Sequence, residues 1–288
     1  MPSSRGFLTL GNRYIIDASL VPNHSAIHVG SGAVSEKTDM PFITDSTGCF
    51  IPGSSIRGVM RSTLERMLQA IGGGRGCVLF ADDSHPTCFT ATGNGRLKAF
   101  EARLAALPPA ERDERLNRKV FSDGLCDICK LFGSPLLASK LRVSDARPAG
   151  NVKRLIRDGV GIDRDTESAR EKIKFDFETV EASQWNFQMQ IENASETDFA
   201  LLAILIAEME HGIDVGGNKA RGLGRCTLTL NYPVKHFDGA EDLRRFLTTG
   251  NLQDSSKEQF KARLARCLQA YLKPQTTKEE GHAAAGGK

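Results

Sequence analysis

A run of glycines and cations in the last third of the chain has the composition of a ligand-binding loop. Gly216–Arg225 contains four glycines, three cations (Lys219, Arg221 and Arg225) and no acidic residue. Glycines allow positive φ angles and a close backbone approach, and the cations can then contact an anionic polymer such as a phosphate backbone. The run follows a helical pattern and precedes a strand, which reverses the order found in nucleotide-binding loops. The composition favours ligand contact over the alternative, a simple turn.

A second candidate for phosphate contact is the segment Ile51–Arg61, which begins a predicted helix. Ser54 or Ser55 can cap this helix, and the apolar residues that follow fall at helical spacing. The helix N-terminus, the two hydroxyl groups and Arg57 could together hold a phosphate. The alternative is an ordinary capped helix whose arginines, Arg57 and Arg61, are solvated. The glycine-rich run elsewhere in the chain favours the phosphate interpretation.

Four of the seven cysteines fall in one central stretch and have the spacing of metal ligands. Cys126 and Cys129 form a C-x-x-C turn, which supplies two ligands at the bite that zinc needs, and Cys77 and Cys88 lie upstream. His85 competes with Cys77 for a place in the set. The alternatives are chance cysteines in a loop-rich insertion and a redox-active C-x-x-C. The pattern lacks the strand before the motif that a thioredoxin-like site requires, so it favours structural zinc.

Asp39 and Asp45 are two carboxylates in an otherwise neutral loop. Most loop aspartates only form turns, so from the residues alone Asp39 is a candidate general acid/base or metal ligand. Conventional hydrolase chemistry is not supported, because the sequence shows neither a Ser/His/Asp spacing nor an H-E-x-x-H motif.

The composition bounds the class of protein. The 288-residue chain carries 38 basic and 35 acidic residues, for a net charge of +3. This near balance excludes a histone-like polycation and limits any nucleic-acid surface to a local groove. The chain is long enough to bury a substantial core in one large or two small domains. No apolar run is long enough to span a bilayer, and the first residues lack a signal peptide's apolar region, so we predict a cytoplasmic protein with no membrane partner.

The elements that must position these residues alternate between strand and helix patterns. Gln184–Glu192 alternates apolar and polar residues as a half-buried strand does, whereas Asp198–Met209 is a strongly apolar helix. The glycine-rich run leads into a predicted strand at Arg225–Leu230, and Ala240–Leu247 and Lys257–Leu272 are predicted to be amphipathic helices. Without the insertions the order is strand, helix, strand, strand, helix, strand. This order predicts an α+β fold with a ferredoxin-like (RRM-like) core. To this core the sequence adds a zinc-bearing insertion, a protruding arm and C-terminal helices.

The composition also divides the chain into segments. Residues 149–178 are rich in glycine and in charges of both signs and poor in aromatic residues, as a protruding arm would be, and we call them the arm. The predicted segments are residues 1–71, the first part of the core with the Asp39 loop; 72–130, the insertion with the zinc site; 131–148, core; 149–178, the arm; 179–232, core with the glycine-rich loop; 233–274, C-terminal helices; and 275–288, a disordered tail.

Four segments in the same order resemble the RAMP superfamily, the repeat-associated proteins of CRISPR systems. They are I-P-G-S-S-x-[KR]-G-x-x-R at Ile51–Arg61, C-x-x-C-x-[LI]-F-G-S at Cys126–Ser134, an arm sequence at Arg157–Asp165, and G-G-x-x-[SA]-R-G-x-G at Gly216–Gly224. The chain is most similar to the backbone subunit of type III effector complexes, as in the Csm and Cmr assemblies. Its cysteine-bearing insertion looks more like the zinc-bearing variants of type III-D or III-E systems.

The resemblance implies a subunit that lies beside neighbouring RAMP subunits along a guide crRNA and presents this guide to a complementary target RNA. The arm would correspond to the family's thumb, which reaches over the neighbouring subunit and kinks the guide–target duplex. The residues implied to contact RNA are Ser54, Ser55, Arg57, Arg61, Gly216, Gly217, Lys219 and Arg221.

In the cleaving members of the family, an aspartate in the loop before the I-P-G-S segment cuts the target RNA beside each kink with a divalent metal. Asp39 fits that position, whereas Asp45 matches a later acid that is linked to the turn. One aspartate can hold Mg²⁺ or another divalent metal near the scissile phosphate while the 2′-hydroxyl attacks in line. The resemblance therefore implies an endoribonuclease whose product ends in a cyclic phosphate.

Two alternatives remain open. Some RAMP backbone subunits bind RNA without cutting it, and Asp39 would then only shape its loop. A guide-processing endonuclease with the RAMP fold is a more distant possibility, because such enzymes usually use histidine or tyrosine, and His28, His85 and His211 are scattered along the chain.

Overall fold

The structure is a computed structural model that describes residues 9–33, 37–71, 76–77, 88, 102–112, 114, 125–134 and 137–273. His85, most of the predicted insertion and the predicted tail lie outside these residues. The strands are β1 (Asn12–Pro22), β2 (Thr44–Asp45), β3 (Gly48–Cys49), β4 (Leu141–Val143), β5 (Arg147–Ala149), β6 (Lys153–Ile162), β7 (Ala169–Glu181), β8 (Gln184–Glu192), β9 (Ile213–Asp214), β10 (Arg225–Asp238) and β11 (Gln253–Ser255). The helices are α1 (Gly53–Ile71), α2 (Asp127–Phe132), α3 (Glu196–His211), α4 (Ala240–Thr249) and α5 (Lys257–Leu272).

A mainly antiparallel sheet forms the centre of this mixed α/β structure. Its strand order is β11-β10-β1-β8-β4, with β5 also pairing with β8 and β9 with β10. In β1, the side chains of Tyr14, Ile16, Ala18 and Leu20 are buried in alternation, because successive side chains of a strand point to opposite faces. β8 has the bounds and the alternating burial that the sequence predicts.

The helices cover the apolar residues of this sheet. α1 buries a stripe that includes Ile56, Met60 and Leu64, as an amphipathic surface helix does. α3 is apolar on most sides because it contacts β10, α1, α2 and α5. A capping box between Ser195 and Asp198 satisfies backbone donors at the start of α3.

The arm is a long antiparallel hairpin of β6 and β7, paired from Lys153 opposite Glu181 to Ile162 opposite Ala169. Its sides expose Leu155, Ile156 and Ile162 to solvent. The part of β7 from Phe175 to Val180, which we call the arm base, is attached to the N-terminal region of the core. Ile27 and Val180 exchange two backbone hydrogen bonds of 2.9 and 2.8 Å there.

The C-terminal region combines strand and helix. β10 continues to Asp238, beyond the predicted strand end at Leu230, and pairs with β11. The amphipathic helices predicted after it are α4 and α5, and Ser256 caps α5. Within the described ranges, no helix has both the length and the apolar character needed to cross a membrane.

Candidate functional site

The glycine-rich loop is folded against the chain's own backbone. The N–H of Gly217 donates to the His28 carbonyl at 2.8 Å, and the N–H of Gly224 donates to Ala26 at 3.0 Å. Gly216 and Gly224 have φ angles of +89° and +81°, and a Cβ on either would collide with a backbone carbonyl, that of His28 or Val215. These glycines are therefore required by internal packing, so ligand contact rests on the loop's cations.

Lys219 and Arg221 are exposed on the 3₁₀ turn of this loop. The guanidinium of Arg221 lies over the Phe175 ring of the arm base, 5.3 Å from the centroid. No hydrogen bond or ion pair within the described part of the chain engages the amino group of Lys219. Arg225, the third cation, forms an ion pair of 3.6 Å with Asp214. Lys219 and Arg221 are therefore the cations of the loop that remain available to an anionic ligand.

His28 connects the glycine-rich loop to the arm base. Its side chain is 5 % exposed, and its Nδ1 lies 2.6 Å from the Glu178 carbonyl. Because a carbonyl only accepts, Nδ1 carries the proton. The ring also packs edge-on against Phe177, with 5.5 Å between centroids. The sequence singled out His28 only as a scattered histidine, so this linking role was missed; no local motif marks it.

Asp39 also lies at the arm base. Its backbone N–H donates to the Asp176 carboxylate at 2.7 Å, and its own Oδ2 accepts from the Asp176 N–H at 3.0 Å. Hydrogen bonds from the Thr38 hydroxyl and the Asp39 N–H hold the pKa of Asp176 below its usual value. Among the described residues, no hydrogen bond occupies Oδ1 of Asp39, and the residue is exposed. One carboxylate oxygen of Asp39 is thus available to a ligand.

Asp45 has a different environment. Its carboxylate accepts from the N–H and hydroxyl of Thr47 at 2.8 and 2.7 Å and forms a salt bridge with Arg147. The Arg147 hydrogen bond is the main reason that the pKa of Asp45 lies far below its usual value. Asp45 is a turn residue, as the sequence predicted.

The start of α1 is held by its own neighbours. The N–H of Gly53 donates to the Asp145 carboxylate at 2.8 Å, so a carboxylate already occupies the first donor of the helix. Ser54 is exposed and Ser55 is half-buried. The hydrogen bonds of the described residues do not join this helix start to the glycine-rich loop. The structure therefore joins both the glycine-rich loop and Asp39 to the arm base, but it does not link either to Ser54 and Ser55.

Arg57 and Arg61 point towards the protein rather than towards solvent. Arg57 donates to the Phe132 carbonyl and lies over the Phe132 ring. Arg61 forms an ion pair of 2.8 Å with Glu65, and its Nη2 lies 3.5 Å from the Cys129 sulfur. Burial lowers the pKa of Arg57, whereas in Arg61 the hydrogen bonds to Glu65 and Cys129 outweigh burial and raise the pKa. These guanidinium groups have protein partners, which the sequence interpretation did not anticipate.

The four predicted metal ligands come together. The sulfur atoms of Cys77, Cys88, Cys126 and Cys129 all lie within 4.8 Å of one another. The Cys77 sulfur is 3.4 Å from that of Cys129 and 3.5 Å from that of Cys126. Four sulfurs around one zinc at about 2.3 Å would be about 3.8 Å apart. The set therefore fits a tetrahedral metal site such as zinc without His85.

Donors from the surrounding protein approach two of these sulfurs. The N–H of Cys126 donates to the Cys88 sulfur at 3.0 Å, in addition to the Arg61 contact with Cys129. Cys77, Cys88 and Cys129 are buried. Hydrogen bonds within the cluster, first from Cys126 and then from Cys129, lower the pKa of Cys77, whereas contacts within the cluster and burial raise the pKa values of Cys126 and Cys129. Such donors to sulfur are the outer-shell partners that orient metal ligands.

Comparison with known proteins adds a family to this geometry. A search of curated proteins found no match. The model of the RAMP superfamily matches residues 23–227, a range that includes both candidate loops, the arm and the cysteine cluster. Since this match covers more than half of the chain, the protein belongs to the RAMP superfamily.

Proposed function

We propose that the protein is a backbone subunit of a type III CRISPR effector complex, which binds guide crRNA and cleaves complementary target RNA. RAMP membership supports a CRISPR-associated role and association with RNA. The observation that carries the cleavage proposal is the exposed Asp39 carboxylate at the arm base, which the Arg221 side chain of the glycine-rich loop also contacts. The family's thumb is the element that kinks the duplex at the cleavage point.

We propose that positive charge on the protein contacts the phosphate backbone of the guide RNA. Lys219 and Arg221 would contact phosphates. Gly216 and Gly217 remain proposed contacts, through the backbone that is exposed at Gly217. Ser54 and Ser55 remain proposed contacts through their hydroxyl groups. Arg57 and Arg61 are assigned instead to the protein interior, because Phe132, Glu65 and Cys129 already engage them.

Cleavage would proceed by attack of the target's own 2′-hydroxyl. Asp39 would hold a divalent metal through its available oxygen, since hard cations prefer carboxylate ligands; when bound, such a metal offsets charge on the phosphate. The 2′-hydroxyl gives its proton to water as its oxygen bonds to phosphorus, the bond from phosphorus to the 5′-oxygen breaks, and the 5′-oxygen takes a proton from water. The products are a 2′,3′-cyclic phosphate and a 5′-hydroxyl.

The alternative function is a non-catalytic assembly subunit. The reciprocal hydrogen bonds of Asp39 and Asp176 favour it specifically, because they give the Asp39 carboxylate a structural role. The two functions differ in what an amide at position 39 would do. Asparagine keeps an oxygen that accepts the Asp176 N–H, but it removes the negative charge that a divalent metal needs.

The test compares Asp39→Asn and Asp39→Ala in the assembled complex with a labelled RNA complementary to the guide. The catalytic proposal expects both variants to bind target and to lose cleavage by a factor on the order of 100 or more. It is overturned if Asp39→Asn cuts at the wild-type rate, or if the wild-type product ends in a 3′-hydroxyl.

A guide-processing role has weaker support, because His28 and His211 are each bonded to a backbone carbonyl.

Three further assignments accompany this function. The cysteine cluster is proposed as a structural zinc site, as in type III-D or III-E-like variants, because all four ligands are sulfur and three are buried. The sheet order β10-β1-β8-β4, with α1 and α3 as crossover helices, supports a ferredoxin-like core. The exposed apolar residues of the arm support contact with a neighbouring RAMP subunit.

A further inference from the structure

The arm base contacts both candidate loops through alternate residues. Phe175 contacts Arg221 of the glycine-rich loop, and Phe177 packs against His28. Between and beyond these aromatic residues, the carboxylates of Asp176 and Glu178 accept backbone N–H groups of the Asp39 loop, those of Asp39 at 2.7 Å and Phe42 at 2.9 Å. The Asp39 loop is therefore attached to the arm by side chains of β7.

The bonds between Asp39 and Asp176 are reciprocal. Each carboxylate accepts the backbone N–H of the other residue, at 2.7 and 3.0 Å. One bond fixes the backbone of Asp39, and the other fixes the direction of its carboxylate by holding Oδ2. Asp39 is exposed, and its Oδ1 has no protein hydrogen bond among the residues that the structure describes. The position of this oxygen depends on both bonds: the Asp176 carboxylate holds the Asp39 backbone, and the Asp176 backbone N–H holds Oδ2.

The local pairing within the arm does not favour an aspartate at this position. Asp158 lies directly opposite Asp176 in the β6–β7 ladder, and like charges directly opposite destabilise a strand pair. The Asp39 loop and Lys174 both offset this repulsion. The Thr38 hydroxyl and the Asp39 N–H donate to the Asp176 carboxylate, and Lys174 forms an ion pair of 3.6 Å with Asp158. Asp176 is therefore unfavourable within the ladder itself and gains its hydrogen bonds from the loop.

We propose that Asp176 is a positioning residue, whose carboxylate holds the Asp39 backbone in place for target cleavage and makes that position dependent on the arm. This inference rests on the proposed function of Asp39. Asp176 acts through a hydrogen bond and not as a metal ligand, so an amide oxygen can replace its carboxylate oxygen.

The test uses Asp176→Ala, Asp176→Asn and a matched control, Asp158→Asn, in the assembled complex with guide and labelled target RNA. Asp158 is an equally charged arm residue across the same ladder, paired with Lys174 at 3.6 Å and without a hydrogen bond to the Asp39 loop. Three quantities are measured: the single-turnover cleavage rate, the affinity for target RNA, and amide hydrogen exchange of peptides that cover residues 37–42.

We expect Asp176→Ala to slow cleavage on the order of tenfold while target affinity stays within about twofold, because misplacement of a reacting group lowers the rate and not the binding. Exchange at residues 37–42 should accelerate in this variant. Asp176→Asn and Asp158→Asn should resemble the wild type in all three measurements, since the first keeps the acceptor and the second leaves the loop untouched.

Each contrary outcome has a separate meaning. If Asp176→Asn is as slow as Asp176→Ala, charge rather than hydrogen bonding is required and the positioning role is overturned. If Asp176→Ala cuts normally while Asp39→Ala is inactive, the inference fails and the proposed function survives. If Asp39→Ala itself cuts normally, the proposed function fails and the inference fails with it.

Discussion

The cysteine cluster, and the two loops that contact the arm base, both carry side chains that can bind a ligand. The two regions differ in how many of these side chains already have a partner within the protein. Around the cysteines, the sulfurs contact one another and Arg61 contacts both Cys129 and Glu65. In the two loops that contact the arm base, one oxygen of Asp39 and the amino group of Lys219 have no partner within the described residues. The first region has the properties of a structural site, and the second has those of a surface that is open to a ligand.

This difference matters because sequence motifs mark both regions equally. A cation in a motif is available to a ligand only if the fold leaves it unpaired. Arg61 and Lys219 both belong to family-like motifs, yet one is an interior contact and the other is exposed. Burial and partner satisfaction therefore separate residues that hold the fold from residues that can hold RNA.

The largest expected effect lies in the cysteine cluster. Cys129→Ser should abolish stoichiometric zinc binding and lower the melting temperature by roughly 10 °C, because folding and metal binding are coupled at a buried four-thiolate site. Metal content of the purified chain and thermal unfolding measure this. Cys267→Ala is the matched control, since Cys267 is also buried but lies outside the cluster, and it should retain the metal. Full zinc content in Cys129→Ser would show that Cys129 is not a zinc ligand, and it would contradict the assignment of the cluster as a structural site.

The next prediction tests whether the glycines of the glycine-rich loop are needed for packing. Gly216→Ala should lower the free energy of unfolding by about 2–4 kcal/mol, because φ is positive and the new Cβ meets the His28 carbonyl. Gly222→Ala is the control: φ there is also positive, but a Cβ would meet open space, so the loss should be about 1 kcal/mol. Urea unfolding of both variants provides the measurement. Equal losses would show that close packing on His28 does not require the glycine.

A third, smaller effect concerns the inward-facing arginine. Arg61→Ala should lower the free energy of unfolding by about 1–3 kcal/mol, because Glu65 and the Cys129 sulfur lose a partially buried donor. RNA affinity should be unchanged. Arg66→Ala on the exposed side of the same helix should change stability by less than about 0.5 kcal/mol. A loss of RNA affinity in Arg61→Ala without a loss of stability would return Arg61 to the RNA surface.

Much of the fold follows from local patterns. The strand Gln184–Glu192 and the helix Lys257–Leu272 have the bounds predicted from apolar periodicity, because each buries one face against the core. The end of β10 was missed, since Asn231 and Pro233 interrupt its apolar pattern while the strand continues to Asp238. That continuation depends on pairing with β1 and β11, which are remote in sequence.

The candidate site was predictable in its ligands but not in its connections. Cysteine spacing identified the metal set because a C-x-x-C turn has a fixed bite. The inward direction of Arg61 depends on how α2 docks on α1, and the contact of Asp39 with Asp176 joins residues 137 positions apart. No short-range pattern encodes either contact, so Asp176 carried no signal in the sequence.

The smallest expected effect concerns Lys219 of the glycine-rich loop, in the second region of the comparison. Lys219→Ala should weaken binding of guide RNA several-fold and reduce the slope of log affinity against log salt by about 0.7, the value for one lost phosphate contact on a single strand. The melting temperature should not change, because Lys219 is exposed and no hydrogen bond or ion pair within the described ranges engages its amino group. Lys273→Ala, at the exposed end of α5, is the control and should leave the salt slope unchanged. If both lysines alter the slope equally, RNA attraction comes from overall charge, and the arm base is not a specific RNA surface.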